Sequence, residues 1–337
     1  LEPYVTGFSG RVLAIFADSA QGSRPPPVSM GSRSLPSPSP SPVAYRWLIA
    51  GIVVCALIWG TTWFAITLQL GTVDPVVSVV WRFGLAAIVL FAGCLVTGRR
   101  IRLTRAQHLA ALGQGAFVFA LSYAFVYASE QRVASAIVAV IFAALAFLNL
   151  VLFRVAAGQK AAPIAWAGAC LGLLGVGVLS ASEIVGARLG TAAMVGIGFA
   201  VIAVTSSTFG NYFAWRGQIA GAAVIPATAW AMAYGTGILV LFGLATGVHW
   251  SFEPTAAYLG SLLYLSIFGS VIAFVIYFTL ARSRGYALAS YISALTPPIA
   301  MLVSVLFEGA HFGWPALAGL ALVLSGQALL IRAPRPS

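Results

Sequence analysis

Residues 76–97 read VVSVVWRFGLAAIVLFAGCLVT, and GRRIRLTR follows at 98–105. A single charge, Arg82, interrupts the apolar run. About 20 helical residues, each rising 1.5 Å, cover the ~30 Å hydrocarbon core of a bilayer. The run has no strict two-residue alternation, so it does not read as a strand of an outer-membrane barrel. It predicts a transmembrane helix, and the arginines that follow it mark its cytoplasmic end.

Nine further runs of the same kind flank it. They are Trp47–Gln69 before it, then His108–Ser129, Ala134–Phe153, Pro163–Ser182, Thr191–Trp215, Pro226–Val248, Ala257–Ala281, Ala287–Phe307 and Trp314–Ile331. The whole chain of 337 residues is 61% apolar and 7% charged. A soluble domain carries about 25% charged residues, so the soluble class is excluded. The expected fold is an all-α integral membrane protein with ten transmembrane helices. With the N-terminus inside, cytoplasmic segments hold Arg46, Arg99, Arg100, Arg102, Arg105, Arg154, Lys160, Arg216, Arg282, Arg284, Arg332 and Arg335. The opposite side holds only Arg132 and Arg188. That asymmetry predicts an N-in, C-in topology and supports the count of ten, because one missed span would scramble it.

Residues 1–44 are expected to be a disordered tail, since the stretch ending in Pro36-Ser-Pro-Ser-Pro-Ser-Pro42 cannot bury a core. The net charge of +11 is scattered singly between apolar runs and forms no face for nucleic acid. Cys55, Cys94 and Cys170 lie inside apolar runs, and His108, His249 and His311 are isolated at span ends. Neither a disulfide framework nor a metal site is indicated, and no cofactor is expected.

The chain also resembles itself. Pro75 and Gly84 recur as Pro226 and Gly235, Val151-Leu152-Phe153 as Val305-Leu306-Phe307, and Gly168 and Gly175 as Gly319 and Gly326. Two five-helix repeats are expected, at 45–186 and 187–332. Five crossings put the start of the second copy on the far side of the membrane, so the repeats must be inverted, an arrangement that points to a transporter with a central site.

Trp59-Gly60-Thr61-Thr62-Trp63 opens this pattern, then Pro75 with Trp81-Arg82-Phe83, and Thr296-Pro297-Pro298 with Leu306-Phe307-Glu308-Gly309 and Gly319 closes it. Over residues 47–331 this resembles the EamA-type ten-helix exporters of the drug/metabolite transporter superfamily. The first repeat departs from the family pattern, with Ala143 and Ala144 in place of proline and Arg154 in place of glutamate. The resemblance implies a secondary carrier of the bacterial inner membrane, working by alternating access. The aromatic content leans towards the amino-acid exporters of the superfamily. Multidrug and nucleotide-sugar carriers are the nearest alternatives. A membrane-embedded enzyme or lipid-handling protein is the alternative of another class, but no paired carboxylates, His cluster or nucleophile–base pair lies in mid-span. The expected partners are a small-molecule substrate and the lipid bilayer, and the expected state is a monomer.

Candidate substrate-binding residues emerge from helical spacing. Trp59, Thr62 and Trp63 share a face of the first helix, and Tyr123 and Tyr127 a face of the third. Thr205, Thr208 and Tyr212 stack on the sixth, Ser270 and Tyr277 on the eighth, and Ser293 and Thr296 on the ninth. The competing reading is interhelical packing, with hydroxyls bonded to carbonyls of their own helix. Arg82, a costly charge within a span, reads as a structural or gating residue. Pro297-Pro298 predicts a kink in the ninth helix that deprives the carbonyls of Ser293 and Ala294 of helical donors. With no Asp or Glu at mid-depth, a proton carrier is not legible, and a facilitator or exchanger is expected.

Overall fold

The computed structural model describes residues 42–186, 191–284 and 286–332. The expected tail lies outside the described residues up to position 41, whereas Pro42, Val43 and Ala44 form the first turn of a helix. The junction between the two expected repeats, at 187–190, also lies outside them.

Ten helices account for the ten predicted runs. They are α1 (Pro42–Thr67), α2 (Pro75–Val96), α3 (Arg105–Glu130), α4 (Ser135–Ala157) and α5 (Pro163–Gly186), then α6 (Thr191–Ile219), α7 (Val224–Thr246), α8 (Ala256–Ser283), α9 (Tyr286–Phe307) and α10 (Trp314–Arg332). The described residues contain no strand. Seven helices, α1–α4 and α6–α8, are long and apolar enough to cross a membrane, and α5, α9 and α10 contain the shorter apolar stretches Pro163–Val178, Leu295–Phe307 and Trp314–Leu329. Ile88, Leu174, Leu241 and Leu302 are exposed large apolar residues, as expected of helix faces that meet lipid.

Local chemistry sets the ends. Asp74 accepts from Val76 N at 2.8 Å with Pro75 in the first turn of α2, and Thr104 and Gln107 form a reciprocal capping box at the start of α3. α4 and α7 stop at Gly158 (φ 67°) and Gly247 (φ 70°), a left-handed conformation that glycine adopts without steric cost.

Three helices depart from regular α geometry. α3 contains a π-helical segment at Gly115–Ser122, and α8 has one at Ile267–Ile272. α4 is interrupted after Phe142, where Ala143 N and Ala144 N bond back to Val140 O and Ile141 O in 3₁₀ fashion. α9 runs continuously through Pro297 and Pro298. The kink expected at this proline pair therefore involves no interruption of the helix. Instead, the break falls in α4, which lacks proline, and Gln327 Nε2 of α10 reaches the freed Ala143 carbonyl at 3.5 Å.

The most extensive helix pairings are α5 with α10 and α3 with α6, followed by α3 with α7 and α2 with α7. In the first pair a Cβ on Gly175 would fall 2.5 Å from Gly319 O and 2.6 Å from Val323 N, and a Cβ on Gly326 would fall 2.5 Å from Gly172 N and against Gly168 O. These contacts run in opposite order along the two helices, so α5 and α10 are antiparallel. Gly168 and Gly319, Gly172 and Val323, and Gly175 and Gly326 each stand 151 positions apart. Each contact is thus the mirror of the other under one offset. α4 lies deepest, and its Val138 and Val140 share one buried core cluster with Ala200 of α6, Met301 of α9 and Val323 of α10.

Candidate substrate cleft

A cleft with about 700 Å³ of space free of protein atoms lies among α1, α3, α4, α6, α8 and α9. Three helices come from each half of the chain, and they are the corresponding three, the first, third and fourth of each half. The wall is aromatic and aliphatic. Hydroxyls and one amide interrupt it, and no charged side chain among the described residues lines it.

Seven of the twelve predicted binding residues line this cleft: Trp59, Thr62, Trp63, Tyr123, Tyr277, Ser293 and Thr296. On α1 the regular helix brings Trp59, Thr62, Trp63 and also Ile66 to one side. Trp59 Nε1 donates to Gly269 O at 3.1 Å, and its ring packs 5.1 Å from Phe274 and 5.3 Å from Tyr277. The carbonyl it caps lies in the π-helical segment of α8, where the regular backbone pairing is shifted. Trp63 packs on Phe142, 5.1 Å between centroids. Its buried Nε1 has no hydrogen-bond partner among the described residues. Thr62 and Thr296 bond to Trp59 O and Ile292 O of their own helices, at 2.8 and 2.7 Å.

The other five lie elsewhere. Tyr127 is fully buried and donates to Gln69 Oε1 at 2.7 Å, tying α3 to the end of α1. Thr205 and Thr208 return their hydroxyls to Val201 O and Val204 O, at 2.8 and 2.9 Å. Tyr212 accepts from Arg216 Nη1 at 3.1 Å and packs beside Trp215. Ser270 accepts from Arg82 Nε at 3.0 Å and donates to Leu265 O at 2.8 Å. Arg82 itself is 1% exposed, with its guanidinium 4.6 Å from the centre of the Tyr123 ring, so it supports the wall from behind.

Two polar groups of the wall are not picked out by helical spacing. Ser207 bonds to Ser122 of α3 at 2.7 Å. Asn211 Nδ2 donates to Tyr277 OH at 3.1 Å and to Asn149 Oδ1 at 3.3 Å, joining α6 to α8 and α4. Asn149 and Asn211 are the only asparagines in the chain. Two mid-span amides in so apolar a sequence are a legible signal, because each must find a partner in the bundle.

The described helices and this cleft define a polytopic membrane protein with a central chamber built equally by its two halves. The EamA-like transporter family matches the chain twice, at residues 43–181 and 190–332. The chain belongs to this family of membrane transporters, within the drug/metabolite transporter superfamily, and is a multi-pass protein of the bacterial inner membrane. It is 27% identical over 300 residues to the uncharacterized inner membrane transporter YedA of Escherichia coli K12, covering 85% of this chain and 94% of that one. Over 120 residues it is 30% identical to the uncharacterized inner membrane transporter YicL of Salmonella typhimurium LT2, 35% of this chain and 39% of the relative. A protein of known crystal structure superposes with a TM-score of 0.64 at 19% identity, over 85% of this chain and 97% of its own, a likeness of fold.

Proposed function

We propose that the protein exports small zwitterionic metabolites, amino acids foremost, by alternating access of the central cleft. The observation that carries this reading is the wall itself: apolar and aromatic, uncharged, with an unpartnered indole N–H on Trp63. Such a wall suits a solute of no net charge with an apolar side chain. The Trp63 N–H is available to a carboxylate, and the hydroxyls and the Asn211 carbonyl oxygen to an ammonium group. Nucleotide sugars would bring phosphates to a wall without Lys or Arg, and drug cations would meet no carboxylate. In counterflow assays, proteoliposomes loaded with an amino-acid mixture should take up labelled amino acids against panels of nucleotide sugars and cationic drugs. Uptake confined to either of the other panels would overturn the substrate class.

The two halves act as inverted copies in this reading. The antiparallel α5–α10 pair with its mirrored glycine contacts supports it, as do the π-helical segments of α3 and α8. Shifting 115–122 by the 151-residue offset of the glycines overlays it on 267–272. The topology is tested by single cysteines in a cysteine-free background. Thr72→Cys and His311→Cys should react with an impermeant maleimide from outside intact cells, and Arg100→Cys and Ala156→Cys only after permeabilisation. Outside labelling of Arg100→Cys would refute the N-in assignment and the inverted arrangement with it.

A further inference from the structure

Glu130 ends α3 and is 7% exposed. Neither of its carboxyl oxygens has a hydrogen-bond partner among the described residues. The other acidic group nearby is differently treated: Glu308, just past α9, accepts from Ser135 at 2.8 Å and from Ser304. The charged side chains close enough to act on Glu130 are Glu308 and Arg82. From α3 itself, Tyr127 lies close enough to feel both Glu130 and Arg82, with its hydroxyl engaged by Gln69. The adjoining Arg132 turns its guanidinium onto Ala128 O and over the Phe199 ring of α6. The turn of α6 that packs there, around Gly196, brings no titratable group.

An ionised carboxylate buried without donors is far more costly than a neutral carboxylic acid in the same place. We infer that Glu130 is a proton-binding site, that it holds its proton in the conformation described here, and that it couples proton movement to the transport cycle. The route from this site to the cleft is short. Val126, one turn before Glu130 on α3, lines the cleft, and so does Tyr123. Arg82 also lies buried, its Nη1 without a hydrogen-bond partner among the described residues, held by Ser270 and the Tyr123 ring. When Glu130 gives its proton to water, the carboxylate left behind attracts that guanidinium. Drawing Arg82 away would release the π-helical turn of α8 and the Tyr123 wall of the cleft together. The proton site is read from burial and bonding alone, and only its coupling rests on the transporter reading above.

The test is infrared difference spectroscopy of the protein in liposomes at neutral pH, without substrate. The wild type should show the carbonyl stretch of a protonated carboxylic acid, shifted on exchange into D2O. Glu130→Gln, nearly isosteric with the neutral acid, should lose that band while its melting temperature in detergent is held, and Glu308→Gln should keep it. Absence of the band from the wild type, or its persistence in Glu130→Gln, overturns the proposal whatever the cleft transports. A bound sodium ion in place of the proton would give carboxylate bands instead, and would overturn it too. Coupling is read from efflux of a preloaded amino-acid mixture. An inward proton gradient should speed efflux several-fold in the wild type and leave Glu130→Gln unaffected, whereas a gradient response retained by Glu130→Gln would refute coupling. A wild type that moves no amino acid would count against the proposed function and leave the infrared result standing.

Discussion

Gly175→Leu is expected to destabilise the folded protein by about 3 kcal/mol, the upper end of what overpacking a tight interface costs. At this position α5 and α10 touch backbone to backbone, and a Cβ would meet Gly319 O at 2.5 Å and Val323 N at 2.6 Å. Backbone atoms cannot swing aside as a side-chain tip can, so the added side chain must push the helices apart along their most extensive pairing. Association of membrane helices depends on close packing of this kind, because lipid is as apolar as the side chains it would replace. Gly177→Leu is the control, since no atom of a neighbouring helix lies within 4 Å of the Cβ it would add and the residue is exposed. Thermal melting monitored by fluorescence-detected size exclusion should show a large drop for the first variant and little change for the second. Equal melting temperatures would mean that the contact adapts and that the mirrored glycines do not hold the halves together.

Asn211→Leu should reduce amino-acid counterflow by at least roughly tenfold, since 1.4 kcal/mol of lost interaction suffices for that factor. Asn211 is the amide of the cleft wall and bonds to both Tyr277 and Asn149. Its removal strips those two groups of a partner, and each orphaned polar group costs about 1–3 kcal/mol. Stability should therefore fall too, which alone would make the result ambiguous. The double variant Asn149→Leu with Asn211→Leu separates the two effects, because removing both members of a buried pair costs less than removing one. Melting temperature should recover in the double variant and counterflow should not. Thr208→Val, one helical turn before and outside the cleft lining, should transport like the wild type, since that hydroxyl serves only Val204 O of its own helix. Full activity of Asn211→Leu would place the transport pathway away from this wall.

Symmetry links these two expectations. The cleft is built by corresponding helices, and the glycine pair sits where corresponding helices meet, yet the halves are not chemically equal. The interruption of α4 lacks proline and borrows a hydrogen bond from Gln327, while α9 carries two prolines without interruption. Helix regularity is thus not decided by proline alone. Neighbours decide which backbone groups can be satisfied in a membrane.

The ten helices and the membrane class were legible in the sequence, because apolar run length and the placement of arginine respond to the bilayer and hardly at all to tertiary contacts. Part of the cleft was legible for a related reason. α1 and α9 are regular along the residues concerned, so helical spacing alone brings Trp59, Thr62 and Trp63, and Ser293 and Thr296, to the same wall. On α6 spacing could not choose a face, because 205–208 is polar all round. There the threonines turned back to their own carbonyls, and Ser207 and Asn211 met the neighbouring helices. On α3 and α8 the π-helical segments add a residue to a turn and rotate the helix beyond it. Val118 and Tyr123, five apart, therefore share the cleft, and Ser270 separates from Tyr277 to meet Arg82. Tyr127, one regular turn beyond Tyr123, is taken up by Gln69 instead. The burial of Glu130 was equally invisible, because a carboxylate at the end of an apolar run reads as a water-facing group. The packing of neighbouring helices around it removed that water, and only the tertiary structure records where they pack.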